Sequence, residues 1–189
     1  AKGRFENNAT VTKEVAMMME PTADPFAAPA PDADAPVERF GAKDANDLSW
    51  ANLLNAYTCT ECGRCTSECP ANLTGKKLSP RKIMMDTRDR IEEIGANIAV
   101  NGTFLDDGKS LLGDYITNEE LWACTSCNAC VQACPVDIDP LNIIMKLRNF
   151  ATMEESSAPG ALNAMMTNVE NNGAPWPFNQ MDRANWINE

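Results

Sequence analysis

The sequence predicts an all-α fold with extended N- and C-terminal tails. Two observations support the helices: no stretch of useful length alternates apolar and polar residues as a strand does, and helix-start signals recur along the chain. These signals are Ser49, Ser79-Pro80, Thr117-x-x-Glu120 and Asp139-Pro140. A third observation, two cysteine runs of identical spacing, indicates that the helices surround a metal-binding site.

The first half of the chain is predicted to carry two helices. Ser49 would cap a helix through Tyr57, with one apolar face formed by Trp50, Leu53, Leu54 and Tyr57. Ser79 followed by Pro80 would open a second helix that ends at Gly95. From Gly95 to Ile116, Asn-Gly and Asp-Gly turn signals predict mostly loop.

The second half repeats this plan. Thr117 and Glu120 form a capping box for a short helix that leads to Cys124. Asp139-Pro140 opens a further helix, and Pro159-Gly160 separates it from a last helix and an irregular tail.

Three segments follow from this order. Residues 1–46 form an extended Pro/Ala-rich N-terminal segment, in which Thr12 to Met19 favours one short helix and residues 20–36 contain five prolines. Residues 47–155 form one helical domain that contains all eight cysteines. Residues 156–189 form a C-terminal helix and irregular tail, and we expect neither tail to supply a cluster ligand.

Charge and composition exclude several function classes. The net charge of −11 argues against nucleic acid as a partner, because phosphate binding needs a basic surface. The chain contains no histidine, which excludes Rieske ligation, histidine-ligated haem and Ser/His/Asp catalysis within it. We therefore expect no catalytic site, only cysteine and metal chemistry.

The cysteines form two runs with the same spacing, C-x-x-C-x-x-C-x-x-x-C-P, one in each half of the chain. In bacterial ferredoxins the fourth cysteine of such a run ligates the other cluster. This rule predicts two sets of cluster ligands: Cys59, Cys62, Cys65 and Cys134 for the first cluster, and Cys124, Cys127, Cys130 and Cys69 for the second. Disulfides or zinc are the alternatives, but neither explains the repeated four-cysteine spacing with its proline.

The repeat extends beyond the cysteines. The helices that start at Pro80 and Pro140 align with isoleucine, methionine and arginine in register, and Ile83, Ile91, Ile143 and Leu147 are predicted to be buried. Gly63 and Asn128 occupy equivalent positions, where the chain is expected to turn with positive φ. Arg64 should raise the potential of the first cluster, whereas Glu61 and Glu68 should lower it.

These motifs resemble a known family. A long interval, filled by a helix and loops, separates Cys69 from Cys124. This spacing and the segments LSPRKIMMDTRDR, DDGKSLLGDYIT, ELWAC and ENNGAPW are similar to the α-helical ferredoxin domain of heterodisulfide-reductase-related, membrane-anchored iron-sulfur oxidoreductases. The C subunits of heterodisulfide reductase and of anaerobic glycerol-3-phosphate dehydrogenase are also similar.

The resemblance implies an electron-transfer subunit or domain of a respiratory chain. Its partners would be a flavoprotein or a Cys-Cys-Gly protein on one side and a membrane quinone- or haem-binding component on the other. Because the sequence has no apolar run long enough to span a membrane and no signal-type start, we expect a cytoplasmic location at the inner face of the cell membrane, through a partner or a separate membrane domain. An iron-sulfur scaffold or redox sensor is the alternative, but a sensor needs one cluster whereas a relay uses two.

Overall fold

Helices form nearly all of the regular structure in this protein. The computed structural model describes residues 39–188, together with Val15, Ala16 and Met19, which are helical. The described residues contain no strand, only one isolated bridge between Leu112 and Ile116. The predicted fold class is therefore confirmed. The Pro-rich stretch and most of the predicted Thr12–Met19 helix lie outside the described residues.

The chain divides into two compact units, residues 1–154 and residues 155–189. Within residues 39–154 the first contains a 3₁₀ turn at Ala45–Asp47, seven α-helices and a distorted π-type turn at Leu111–Tyr115. The helices are α1 (Trp50–Tyr57), α2 (Arg64–Ser67), α3 (Pro70–Leu73), α4 (Pro80–Asn101), α5 (Asn118–Ala123), α6 (Ala129–Gln132) and α7 (Pro140–Met153). The second unit contains α8 (Gly160–Asn172) and a 3₁₀ segment at Gln180–Asn188. The segment limits predicted at residues 46 and 155 stay predictions.

Side-chain caps fix the starts of four helices. Ser49, Ser79, Thr117 and Asp139 each accept a hydrogen bond from the backbone N–H three residues later. Such a cap satisfies a backbone donor that the helix cannot pair internally, and is worth about 1 kcal/mol. All four predicted starts are confirmed, and at Thr117 the Glu120 carboxylate completes the capping box.

The predicted end of α4 at Gly95 is wrong. The helix continues to Asn101 and ends at Gly102, whose φ of 79° and N–H bond to Ile98 O form a left-handed C-cap. Beyond Gly95, Asn97 exchanges two hydrogen bonds with the backbone of Leu105, which attaches the following loop to this last part of the helix. The loop predicted from Gly95 is accordingly shorter, and it is interrupted by the turn at Leu111–Tyr115.

The apolar face predicted for α1 is mostly exposed. Trp50, Leu54 and Tyr57 are between 51% and 77% exposed, whereas Asn52 and Ala56 are buried and Leu53 packs partly against the core. The small Ala56 side chain faces the neighbouring helices, and Asn52 donates a hydrogen bond of 3.2 Å to Asn142 Oδ1 in α7. This buried amide pair joins α1 to α7.

The core lies where α4 and α7 pack together. Its fully buried side chains include Leu78, Ile83, Met84, Leu111, Ile116, Leu121, Leu141, Ile143, Ile144 and Leu147. The two helices that follow the cysteine runs therefore meet in one core. Ile83, Ile143 and Leu147 are buried as predicted, and Ile91 is partly buried against the same cluster.

Arg90 joins three parts of the chain at the edge of this core. Its guanidinium is fully buried and donates to the Asp44 carboxylate, the Asp107 carboxylate and Lys109 O. The contact with Arg90 lowers the pKa of Asp107 to about 2. Because this pKa lies below that of an unfolded aspartate, the contact stabilises the fold above about pH 4, and the benefit is lost as the pH falls through 2.

We expect Arg90→Leu to destabilise the protein strongly, because it leaves two carboxylates without their cation. Removing one partner of a buried ion pair costs about 3 to 5 kcal/mol, which corresponds to roughly 10 degrees in thermal midpoint for a chain of this size. The measurement is anaerobic thermal unfolding at one scan rate. The control is Lys77→Ala, which removes an exposed pair with Glu119 and should leave the midpoint nearly unchanged. Equal midpoints for both variants would contradict the role of Arg90.

Candidate metal centres

The two cysteine loops have the same backbone conformation. Gly63 and Asn128 both have positive φ, 81° and 63°, as predicted. Glu61 and Ser126, which are also equivalent in the repeat, both have φ 56°. These left-handed residues curl each loop between its first and third cysteines, and the repeat in sequence is therefore a repeat in conformation.

Each run then continues into a short helix. The third cysteine lies in α2 or α6, and Cys69 precedes Pro70 at the start of α3. The helices α2 and α6 pack against each other. This contact brings the two loops face to face, although they belong to different halves of the sequence.

The first cavity contains cysteines from both runs. Cys59, Cys62 and Cys65 line it together with Cys134. The remaining wall is largely apolar and includes Met84, Val136, Ile138 and Pro140. Ile138 N–H donates to Cys134 Sγ at 3.3 Å, which orients this sulfur.

The second group of thiols lies closer to the interior. Burial, with smaller contributions from Cys124, Cys65 and Cys69, raises the pKa of the Cys130 thiol to about 12. Burial also raises the pKa of Cys124, to which Cys69 and Cys127 contribute, whereas the Ser126 N–H and Arg148 lower it. Cys69 therefore lies near Cys124 and Cys130 of the other run. Burial raises the pKa of Cys65 in the same way.

Exposure differs systematically along the runs. Cys62 and Cys127, the second cysteine of each run, are exposed, whereas Cys69 and Cys130 are buried. Cys59, Cys65, Cys124 and Cys134 are partly buried. Each run therefore contains one thiol that is exposed to solvent and three that are wholly or partly buried.

The thiols around the first cavity match the ligand number of an iron-sulfur cluster. Four cysteines line it, three from the first run and one from the second. A cysteine-ligated [4Fe-4S] cluster takes four thiolates, one at each iron corner. Within residues 39–188, no three His, Cys, Asp or Glu side chains are placed to hold one metal ion.

The family of 4Fe-4S dicluster domains matches residues 58–138, an interval that includes all eight cysteines. The chain carries a 4Fe-4S dicluster domain. Two [4Fe-4S] clusters with cysteine ligation need eight thiolates, the number that this sequence contains, and the predicted cofactors are confirmed.

Several curated proteins are similar to this chain. The probable iron-sulfur-binding oxidoreductase FadF of Bacillus subtilis is 34% identical over 185 residues, 82% of this chain and 26% of the relative. The EtfAB:quinone oxidoreductase of Syntrophomonas wolfei is 31% identical over 171 residues, 80% of this chain and 24% of the relative.

A third relative is the C subunit of the ferredoxin/F(420)H(2)-dependent CoB-CoM heterodisulfide reductase of Methanosarcina acetivorans. It is 31% identical over 110 residues, 58% of this chain and 54% of the relative. The resemblance to heterodisulfide-reductase-related iron-sulfur proteins is thereby confirmed. The chain spans about a quarter of the length of the first two relatives.

The charged residues near the first cavity come from several elements, and the effects on cluster potential predicted for Arg64, Glu61 and Glu68 stay predictions. Arg81, not Arg64, lines the first cavity, and Arg64 lines a separate groove with Glu68. Glu61 lines the first cavity but forms an ion pair of 2.6 Å with Arg88 of α4. Sequence reasoning missed this pair because its members belong to different elements.

Arg148 of α7 is the second functional residue that was missed. Its guanidinium donates to Cys124 O, to Leu121 O and to Ser126 Oγ, all at the start of the second cysteine loop. The repeat alignment places Arg148 in register with Arg88. The repeat in the sequence therefore identifies Arg88 and Arg148 as equivalent residues, but it does not show which groups they contact.

We expect the buried thiols of metal-free protein to react slowly with an alkylating agent. With its pKa near 12 instead of 9.0, Cys130 carries about a thousandfold less thiolate near neutral pH. Mass spectrometry should find Cys62 modified well before Cys130, and the Cys130 rate should keep rising with pH beyond 9. Because the thiol form is favoured by folding, metal-free protein should also lose stability as the pH rises from 9 towards 12.

Chemically denatured protein is the control, in which all eight thiols should react alike. Equal rates without denaturant would contradict the burial of Cys130 in the metal-free fold.

No membrane-crossing helix was found in the part of the chain that the structure describes, since none there combines the necessary length with low polarity.

Proposed function

We propose that this chain relays single electrons between two redox proteins through its two clusters. The observation that carries the proposal is the arrangement of thiols: one cavity brings Cys134 of the second run together with Cys59, Cys62 and Cys65 of the first, and one thiol of each run, Cys62 or Cys127, is exposed. Bound [4Fe-4S] clusters supply one-electron redox chemistry. The chain's own contribution is to hold them close together with one exposed ligand at each end.

The ligand sets that we propose are crossed. Cys59, Cys62 and Cys65 hold the first cluster with Cys134, which lines the same cavity. Cys124, Cys127 and Cys130 hold the second with Cys69, whose proximity to Cys124 and Cys130 is reflected in their raised pKa values. Crossing uses the fourth cysteine of each run to join the two halves.

All eight cysteines are used by these sets, and the chain has no histidine. No thiol is then left as a nucleophile, and complete cysteine ligation leaves no open iron position for a substrate. These features support a conducting role in which bond chemistry is done by other components.

For the partners we infer a flavoprotein or Cys-Cys-Gly protein on one side and a membrane quinone- or haem-binding component on the other. A relative named EtfAB:quinone oxidoreductase and one named as a heterodisulfide reductase subunit support this choice. A quinone partner would place the chain at the inner face of the cell membrane. The net charge of −11 favours docking onto basic surfaces, with affinity that decreases as salt is added.

The test is a quinone-reduction assay with purified, cluster-loaded protein. The chain alone should accept electrons from an artificial reductant and yet turn over neither a soluble quinone nor a disulfide. Addition of the proteins that copurify with it should restore electron flow. Cys127→Ser, which alters an exposed ligand, should slow that flow, whereas Lys77→Ala on the surface should not.

Full quinone reduction by the isolated chain would contradict the relay function. So would undiminished flow through the reconstituted system when Cys127→Ser protein has lost its second cluster.

A further inference from the structure

Two arginines occupy the same position in the two halves of the repeat. Arg88 lies eight residues after Pro80 in α4, and Arg148 lies eight residues after Pro140 in α7. Each one reaches back to the cysteine loop of its own half. There it meets the residue just before the second cysteine, which is Glu61 in the first loop and Ser126 in the second, both with φ 56°.

In the first half the arginine is neutralised. Arg88 Nη2 lies 2.6 Å from Glu61 Oε1, and a weaker contact of 3.8 Å joins Arg88 Nε to Asp89. Glu61 also lines the first cavity. The cation and the carboxylate therefore approach the first cluster as a pair with almost no net charge.

In the second half the arginine keeps its charge. Ser126 accepts a hydrogen bond of 3.3 Å from Arg148 Nη1 but carries no charge. The other contacts of the guanidinium are with Leu121 O, Cys124 O and the Trp122 ring, whose centroid lies 4.9 Å away. No carboxylate among residues 39–188 forms an ion pair with Arg148, and its charge acts on Cys124.

We infer that Arg148 raises the reduction potential of the cluster held by Cys124, Cys127, Cys130 and Cys69, and that Glu61 prevents Arg88 from doing the same for the first cluster. Reduction adds one negative charge to a cluster. A half-buried cation stabilises that charge more than an exposed one, because less water screens it. This inference rests on the proposed ligand sets and relay function.

Arg148 is more buried than Arg81, a cation that lines the first cavity. Arg81 lines the first cavity, but its side chain is exposed and therefore screened by solvent. Arg148 and Arg88 therefore differ in how much each one raises the reduction potential of its own cluster. Glu61 and Ser126 are the residues that make the two contributions unequal.

The experiment is an anaerobic redox titration followed by electron paramagnetic resonance (EPR), with iron content measured for each variant. Arg148→Gln should lower the potential of one cluster signal, changing its ratio of reduced to oxidised form about tenfold at fixed potential, or about 59 mV for a one-electron couple. Arg148→Lys should retain most of the native potential, because it keeps the charge but not the planar fork.

Glu61→Ser copies the second loop into the first and should raise the potential of the other signal, since it releases the charge of Arg88. Serine tolerates the position, as Ser126 has the same φ. The double variant Glu61→Ser with Arg88→Gln should return that signal close to its native potential. These two variants leave Arg148 untouched, so they test the inference even where Arg148→Gln fails to bind its full complement of iron.

Equal losses of potential in Arg148→Gln and Arg148→Lys would overturn the inference, because they would show that Arg148 acts through loop geometry alone. So would a Glu61→Ser shift in the signal that Arg148→Gln also moves, or no shift in Glu61→Ser. If the arginine and Glu61 variants keep their native iron content and their cluster potentials do not change, the proposed effect of the arginines is contradicted. The proposed ligands are tested separately, by the loss of iron when those cysteines are substituted.

Discussion

The contact between α2 and α6 is the constraint on which the remaining structure depends. A run of three cysteines spaced by two residues can follow one face of a cluster, and its fourth cysteine is directed elsewhere. When α2 and α6 pack together, the fourth cysteine of each run lies beside the other run. In the proposed crossed arrangement, two incomplete sites thereby become two complete sites, and neither half is sufficient alone.

The rest of the first unit holds this contact in place. Helices α4 and α7 follow the two cysteine runs and share one apolar core, so movement of one half requires movement of the other. Arg90 attaches the loops around Asp44 and Asp107 to α4, and the Asn52–Asn142 pair attaches α1 to α7. Polar side chains that are buried in these positions favour one arrangement, because each loses a partner in any other.

Local chemistry explains which parts of the fold could be predicted. The four helix starts depend on residues within one turn of each other, and the positive φ values of Gly63 and Asn128 depend on residue type alone. The cysteine spacing indicates iron-sulfur clusters for the same reason, since the ligands of one face lie in a short stretch. Periodicity also found Ile83, Ile143 and Leu147 in the core.

Long-range packing explains the errors. Glycine favours C-caps, which is why the sequence predicts a helix end at Gly95, but contacts of α4 on both sides of it keep the helix intact as far as Gly102. The apolar residues of α1 suggest a buried face, yet packing against α4 and α7 places Ala56 and Asn52 inside and leaves Trp50 and Tyr57 exposed. The Glu61–Arg88 pair joins residues of separate elements, which no local pattern encodes.

The crossed arrangement of ligands is tested most directly by grouping cysteine variants according to the cluster that each one alters. Cys62→Ser, Cys69→Ser, Cys127→Ser and Cys134→Ser would be compared by EPR of the reduced, anaerobically purified protein. The crossed arrangement predicts that Cys69→Ser and Cys127→Ser change one signal, and that Cys134→Ser and Cys62→Ser change the other. Grouping of Cys69 with Cys62, and of Cys134 with Cys127, would show that each run holds its own cluster and would contradict the account.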